Sequence, residues 1–362
     1  ASFFFLSRVI GATLKMFIVV IVLQIFVFYA FNIPFFVTII IFIVSILIYT
    51  FKGGIRTIIW TDTLQTTFML LAVVLSIVFI SKELQLSFGG IITKVFQSEY
   101  SKMLVTDWSS KQFFLKQFLS GMFIAITMTG LDQEMMQKNL SCRSLKDAQK
   151  NMFSFSIVLV FVNMMFLILG AILIFYANSR GINVANTDDL FPTIAIHHMA
   201  PIAGIIFIIG LISAAYPSAD GALTSLTTSF CIDILGLNKF TFSEDKKTKI
   251  RYLVHLSFAL ILMLSIFIIR SINDEAIIQT LYKIAGYTYG PLLGLYSFGM
   301  FTKWQVKDKW IPLVAIASPL LCYVLSVYST TLFWGYKFGF ELIIMNGALT
   351  FLGLFLLRIK KK

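Results

Sequence analysis

The sequence has little charge and few cysteines, and each shortage excludes a class of protein. Only 13% of the 362 residues are charged, whereas 58% are hydrophobic and the mean hydropathy is +0.89. No soluble domain of this length needs so large an apolar share, so the composition predicts a polytopic membrane protein. The three cysteines show no paired spacing and therefore predict neither a disulfide framework nor a zinc site.

The motifs of enzymes and metalloproteins are also missing. The three histidines (His197, His198 and His255) are too scattered to indicate a metal centre. The sequence contains no P-loop, catalytic triad or haem motif. An intramembrane enzyme would need clustered acids or histidines, such as paired DxxxD motifs, and none is found. We therefore expect that the protein is not an enzyme.

Long apolar segments run through the whole chain and predict an all-α polytopic membrane protein. Each of them is long enough to cross a bilayer of about 30 Å. The sixth is expected to continue as a helix to about Ile234. The ten segments are 9–29, 34–51, 58–81, 112–134, 152–176, 202–222, 251–270, 277–300, 309–329 and 336–357.

The loops between these segments alternate in charge. Every second loop is rich in Lys and Arg, as is the C-terminus RIKKK, which places them in the cytoplasm of a multi-pass inner or plasma membrane protein. This enrichment also explains the net charge of +12 without nucleic acid as a partner. The longest outer loop, 82–111, is expected to form a partly helical cap. Gly and Pro residues predict broken helices at Pro217, Gly221, Gly286, Gly290 and Pro291.

The stretch from Leu211 to Leu235, LISAAYPSADGALTSLTTSFCIDIL, is the strongest candidate for an ion pathway. Asp220 lies at membrane depth, where an acid needs a partner or a polar cavity. Pro217 has no N–H, so the Ser213 carbonyl is free to bind a cation together with Ser218. The alternative is a small-residue packing face with Asp220 paired to a Lys or Arg.

A second acid, Asp62, lies about one turn inside the third segment, in GGIRTIIWTDTLQTTF. Asp62 and Asp220 both fall in the inner half of the membrane, where they are expected to share a cation or to follow one another along its exit path. The alternative is that Asp62 caps the start of its helix near Arg56.

Two further segments supply candidate substrate residues. In the fourth, Thr127, Thr129 and Gly130 are expected to form an unwound stretch that lines a cavity, with Asp132 as a gating or solvated acid near Lys138. In the eighth, Tyr287 and Thr288 lie beside small residues. An aromatic stripe at helical spacing is also typical of simple packing, and both interpretations stay open.

Several passages resemble the sodium:solute symporter family, which includes proline, pantothenate, sialic acid and sodium/glucose symporters. The passages occur in the family's order and cover nearly the whole chain. They read FFLSRVIGATLKMFIVVIVLQ, YTFKGGIRTIIWTDTLQ, GLDQEMMQKNLSCRSLKDAQ, SAAYPSADGALTSLTTSFCIDIL and IAGYTYGPLLGLYSFGMFTKW.

The resemblance implies a leucine-transporter-type inverted-repeat fold, here one transporter domain over 1–362 whose first core helices lie outside the sequence. Within it, 1–81 would complete the first repeat, 112–302 would form the second, and 309–362 would be peripheral helices. A chain without those first helices is expected to be inactive by itself.

The resemblance also places the family's sodium ligands on this sequence. The ligand carbonyl falls on Ala214, and the two adjacent hydroxyls fall on Pro217 and Ser218. A second sodium site of some members would use Asp62, with hydroxyls at positions occupied here by Pro217, Asp220 and Gly221. Pro217 and Asp220 therefore depart from the family pattern.

The implied function is Na⁺-coupled symport of a small organic solute, with Na⁺ as the coupling ion and the lipid bilayer as surroundings. The sugar-transporting members of the family carry an aromatic gate residue at the position of Met128 and an Asn at the position of Ala125. Neither residue type is present here, which counts against a sugar as the substrate. A proton-coupled symporter, with Asp220 or Asp62 titrating, and a transporter-like sensor module are the alternatives. The sequence does not indicate an oligomeric state.

Overall fold

The computed structural model describes residues 2–50, 55–272 and 277–359. Side chains at 2–3, 49–62, 133, 134, 137, 215, 217, 218, 272, 277 and 278 lie outside that description. The described residues form helices, with one isolated β-bridge between Val306 and Arg358. The predicted all-α class is therefore confirmed.

Fourteen α-helices follow one another through the described residues. Several are extended by π-helical turns, at Gln24–Phe28, Ile126–Gly130, Ile194–His198 and Phe230–Ile234. The helices are α1 (Ser2–Leu23), α2 (Phe35–Thr50), α3 (Ile55–Glu83), α4 (Phe88–Phe96), α5 (Phe114–Ala125), α6 (Gln133–Leu140), α7 (Leu145–Arg180), α8 (Leu190–Thr193), α9 (Pro201–Ser229), α10 (Glu244–Ile272), α11 (Ile277–Phe301), α12 (Ile311–Val327), α13 (Ser329–Leu332) and α14 (Leu342–Leu356).

Each of the ten predicted segments coincides with a helix. Among the described residues, six helices are long and apolar enough to cross a membrane, and two shorter apolar helices accompany them. The sixth segment continues as α9 and a π-helical turn to Ile234, as expected. The connection 82–111 contains α4, and Ser87, directly before that helix, accepts a hydrogen bond from the backbone N–H of Gly90 (3.1 Å). The predicted helical content of this connection is confirmed, whereas its position as an outer cap stays a prediction.

The predicted breaks in the helices are wrong. The α9 helix runs without interruption past Pro217, and α11 runs past Gly286, Gly290 and Pro291. Thr127, Thr129 and Gly130 form a π-helical turn instead of an unwound stretch. Proline removes only one helical hydrogen bond, and a membrane helix stays continuous where a neighbour replaces it.

The chain separates into two compact units. One comprises 1–11, 103–136 and 278–362 and contains α5 and α11 to α14; the other comprises 12–102 and 137–277 and contains α2 to α4 and α7 to α10. We call them the α5–α11 unit and the α3–α9 unit. The units group residues by packing, so the assignment of 1–81, 112–302 and 309–362 to repeats and peripheral helices stays a prediction.

In the α3–α9 unit, the core joins one end of α3, α7 and α9 with the cap helix α4. Fully buried aliphatic side chains fill it, including Ile80, Ile91, Ile172 and Ile194. The α4 helix buries Ile91 and Val95 against this core. The packing fixes α3 against α9 and so sets the position of the candidate cation residues on both helices.

In the α5–α11 unit, α14 packs closely against α11. A Cβ atom at Gly290 would lie 2.5 Å from Cβ of Asn346, so only glycine allows this approach. The buried Asn346 amide donates to the carbonyls of Gly286 and Tyr287, each at 3.0 Å. Pro291 cannot donate to the Tyr287 carbonyl, so Asn346 replaces the missing hydrogen bond and keeps α11 continuous.

Candidate cation and substrate sites

The α3 and α9 helices form an antiparallel seam that carries the cation candidates. A Cβ atom at Gly210 would lie 3.3 Å from the Phe68 carbonyl oxygen, and the Ser76 hydroxyl lies 3.9 Å from the sulfur of Met199. Residue numbers therefore rise along one helix as they fall along the other. One helical turn, about four residues, separates Gly210 from Ala214 on α9 and Met69 from Gln65 on α3. The same antiparallel register therefore sets Ala214 opposite Gln65.

On α9, the carboxylate of Asp220 is buried by surrounding protein. Asp220 is 2% exposed and accepts a hydrogen bond from the Thr224 hydroxyl (3.2 Å). Ser213 is half-buried, and Ala214 is exposed, that is, not covered by described protein. Ser218 lies in α9, one residue from the buried Ala219, but its side chain is outside the described residues.

Asp62 lies in α3, three residues before Gln65, and its side chain is also outside the described residues. The structure thus places all five cation candidates on the two helices of one seam. Their geometry around an ion stays a prediction.

The candidate substrate residues lie on α5 with its π-helical turn and on α11. Met128, Ala285 and Tyr289 pack these two elements into one cluster. Thr127 is fully buried, Thr129 is half-buried and Gly130 is exposed.

The hydroxyl protons of the buried threonines are already used. The Thr127 hydroxyl donates to the Phe123 carbonyl oxygen (2.9 Å), and the Thr288 hydroxyl donates to the Ile284 carbonyl oxygen (3.1 Å). Only their oxygen lone pairs remain to accept from a ligand. Tyr287 is half-buried, and its ring centroid lies 6.3 Å from that of Tyr323. A role in substrate binding stays a prediction for all five residues.

A buried ion pair between Arg8 and Asp132 was missed by sequence reasoning. The guanidinium Nη1 lies 2.6 Å from the carboxylate, and the side chains are 13% and 4% exposed. Asp132 also accepts from the backbone N–H of Met135 (3.1 Å) at the start of α6. The interpretation of Asp132 as a solvated acid near Lys138 is therefore wrong. The signal was present in the sequence, as one arginine inside the apolar run SFFFLSRVIGA.

A second charged cluster was also missed. Lys116, only 6% exposed, donates to the carbonyls of Ser110 (3.1 Å) and Lys337 (3.3 Å), and its ammonium lies 3.5 Å from the centre of the Tyr336 ring. The Tyr336 hydroxyl donates to the Glu341 carboxylate (3.0 Å). The cluster joins the start of α5 to the loop before α14.

The part of the chain that the structure describes holds no group of three or more His, Cys, Asp or Glu side chains that suits a metal ion. The described side chains and backbone of α3 and α9 offer the Asp220 carboxylate, hydroxyls, backbone carbonyls and the Gln65 amide. These hard oxygen donors suit an alkali cation such as Na⁺.

Comparison with known proteins agrees with this chemistry. The chain is 27% identical to the sodium/sialic acid symporter SiaT of Proteus mirabilis over 267 residues, which are 71% of this chain and 53% of that protein. It is 25% identical to the sodium/sialic acid symporter NanT of Aliivibrio fischeri, over 86% of this chain and 63% of that one. A sodium/pantothenate symporter of Haemophilus influenzae is also 25% identical, over 70% and 52%. The chain thus spans between about half and two thirds of the length of these relatives.

A solved structure shows the same fold. A Na⁺-coupled sialic acid symporter, described in a substrate-bound outward-open state with a novel Na⁺ site, matches 98% of this chain and 73% of its own with a TM-score of 0.78 and 21% identity. The predicted leucine-transporter-type fold is thereby confirmed.

The sodium:solute symporter family model matches residues 3–307. The resemblance found in the sequence passages is confirmed, and with it a multi-pass membrane protein from a family of transporters and not of enzymes. Since that match extends over most of the chain, the protein belongs to the sodium:solute symporter family.

Proposed function

We propose that the protein is a secondary active transporter that couples inward Na⁺ flow to uptake of a small organic solute by alternating access. The observation that carries this proposal is the buried carboxylate of Asp220 on α9. An acid at membrane depth is costly and typically marks an ion pathway. Membership of a sodium symporter family supports Na⁺ as that ion.

On the cation side, Ala214 and Ser213 supply backbone carbonyls and Ser218 a hydroxyl. Asp220 and Asp62 supply negative charge towards the inner end of the pathway. Pro217 stands where the family carries a hydroxyl, so the Ser213 carbonyl replaces that ligand. The position of Asp220 on the helix turn after Pro217 supports its use as the compensating charge.

On the substrate side, Thr127, Thr129, Gly130, Tyr287 and Thr288 line the solute cavity. The elements that carry them pack together through Met128 and Tyr289. The relatives are named for sialic acid and pantothenate, so these two compounds are the first to screen. Alternating access, in which the binding site opens to one side of the membrane and then to the other, completes the proposed transport cycle.

The charged loops support a position in the inner or plasma membrane with the C-terminus in the cytoplasm. Lys and Arg occupy every second loop and the final residues. Cytoplasmic loops are enriched in these residues because positive charge is retained on that side during insertion.

The test is Na⁺-dependent thermal stabilisation of the purified full-length protein in detergent, with K⁺ at equal ionic strength. We expect Na⁺ alone to raise the melting temperature, because a ligand that binds the folded state stabilises it. Asp220→Asn is expected to weaken that rise. Asp233 is an exposed acid in the π-helical turn that follows α9. Asp233→Asn is the matched control and is expected to keep the Na⁺-dependent rise in melting temperature.

Two outcomes contradict the proposal. If Na⁺ and K⁺ act alike on the wild type, Na⁺ is not the coupling ion. A melting temperature that then depends on pH and loses this dependence in Asp220→Asn favours the proton-coupled symporter, for which the buried Asp220 carboxylate is the titrating group.

A further inference from the structure

Gln65 is a buried polar side chain on a part of α3 that is otherwise exposed. It is 9% exposed, whereas Thr63, Leu64, Thr66 and Thr67 are all exposed. Its side-chain oxygen Oε1 is fully buried and accepts no hydrogen bond within the described part of the chain. A buried acceptor without a donor lowers the stability of the fold, so such a group calls for a physical reason.

The position of Gln65 indicates what that reason is. Gly210 on α9 packs against Phe68 and Met69 on α3, close enough that a Cβ atom would lie 3.4 Å from Cα of Met69. One turn earlier on α3, Gln65 therefore faces the turn of α9 around Ala214. This is the turn whose carbonyls, at Ser213 and Ala214, belong to the proposed cation site.

The chemistry of the amide fits a cation and not a proton. A carboxamide oxygen is a hard, neutral donor of the kind that binds alkali and alkaline-earth ions. It has no proton to release near neutral pH, so it contributes nothing to a proton-coupled cycle. An Na⁺ ion beside it would supply the positive partner that the buried oxygen lacks among the described residues.

We propose that the side-chain oxygen of Gln65 is a ligand of the coupling cation in the α3–α9 seam. This proposal rests on the proposed function, since it assumes that Na⁺ binds between α3 and α9. It adds a ligand from α3 that neither the sequence motifs nor the family ligands indicated.

The test separates the melting temperature without Na⁺ from the rise that Na⁺ causes. Gln65→Leu removes the oxygen and keeps the volume. Without Na⁺, we expect an unchanged or higher melting temperature, because an unsatisfied polar group has been replaced by an apolar one. With Na⁺, the concentration for half-maximal stabilisation is expected to rise by about tenfold or more, as loss of a contact with an ion requires.

Two further variants make the result specific. Gln65→Glu retains an oxygen at this position and is expected to keep the Na⁺-dependent rise. Thr67→Val, an exposed position on the same helix, is the control and is expected to leave both quantities unchanged. If Gln65→Leu does not yield folded protein, Gln65→Met, which also lacks the oxygen, takes its place.

The outcomes distinguish the two proposals. If the wild type responds to Na⁺ and Asp220→Asn weakens this response, but Gln65→Leu responds like the wild type, then Gln65 is not a ligand and the proposed function stands. If the wild type does not respond to Na⁺ at all, the proposed function fails, and the role of Gln65 with it.

Discussion

At the scale of single residues, two carboxylates are buried in the described part of the chain and are bonded to neighbouring side chains or backbone groups. Asp132 is neutralised by Arg8 at 2.6 Å and also caps α6. Asp220, equally buried, accepts a hydrogen bond from the hydroxyl of Thr224 one turn along its own helix. The Arg8 counter-ion favours a structural role for Asp132. The candidate cation role of Asp220 rests on its burial within an apolar segment.

The Arg8–Asp132 pair makes the first prediction at this scale. Asp132→Asn removes the charge and leaves the guanidinium of Arg8 buried without its counter-ion. We expect a loss of stability on the order of 3 kcal/mol, typical of breaking one side of a buried pair. The measurement is the midpoint of thermal or denaturant unfolding in detergent, with the exposed Asp245→Asn as control.

A double variant checks the cause of that loss. Arg8→Met combined with Asp132→Leu removes both charges together and is expected to recover much of the stability. Equal losses in the single and double variants would show that packing, and not an unpaired charge, explains the effect.

At the scale of helices, α11 shows how a distant residue decides a local structure. Pro291 removes the hydrogen bond to the Tyr287 carbonyl, and Asn346 of α14 donates to that carbonyl and to Gly286. The hydroxyl of Ser318 in α12 holds the Asn346 side-chain oxygen at 2.5 Å and so orients the amide. The proline therefore joins α11 to α14 and α12 through side-chain hydrogen bonds.

This arrangement predicts that Asn346 is needed as a donor. Asn346→Asp keeps the shape but loses the N–H groups, so two buried carbonyls on α11 lose a donor. We expect a loss of about 1–3 kcal/mol, the cost of leaving buried polar groups unsatisfied. Hydrogen exchange of α11 is expected to increase in the same variant, and the exposed Asn238→Asp, in the turn before α10 and outside the membrane segments, is the control.

A second variant separates hydrogen bonding from packing. Gly290→Ala would place a methyl group 2.5 Å from Cβ of Asn346 and force α14 away from α11. It is expected to have a similar effect on α11 although every donor and acceptor remains. Unchanged hydrogen exchange of α11 in both variants would contradict a supporting role for Asn346.

The same helices show where sequence reasoning succeeds and where it stops. The apolar runs coincide with helices at all ten positions, and six of the described helices are long and apolar enough to cross a membrane. The glycines and Pro291 wrongly indicated breaks, because the compensating donor lies 55 positions further along the chain. Arg8 and Gln65 were missed for a related reason, since burial and partners depend on contacts between distant segments.

The candidate cation residues illustrate the same division. Asp220 was found because a carboxylate is conspicuous in an apolar segment, and its burial is confirmed. Gln65 is neutral, and an amide within TDTLQTT resembles any polar residue near the start of a helix. Only the packing of α3 on α9 shows that this side chain alone is buried among exposed neighbours.

At the scale of the whole molecule, the distribution of charge among the loops predicts the orientation of the chain in the membrane. Each loop rich in Lys and Arg is separated from the next by two membrane segments. Loops of opposite character, such as the one containing Asp188 and Asp189, lie between them. Burial and the neighbouring Asp188 carboxylate raise the pKa of Asp189, so this predicted outer loop holds two acids that repel one another.

Single cysteines in exposed loops test this topology. In a variant without the three native cysteines, Asn186→Cys occupies a predicted outer loop and Lys146→Cys a predicted inner one, and both positions are exposed. A membrane-impermeant maleimide is expected to label Asn186→Cys in intact cells and Lys146→Cys only after permeabilisation, because basic loops stay in the cytoplasm. Lys239→Cys, in the next basic loop, is expected to follow Lys146→Cys. The reverse labelling pattern would mean that the chain has the opposite orientation in the membrane. Asp220 and Asp62 would then lie in its outer half, near the entrance of the proposed cation pathway and not near its exit.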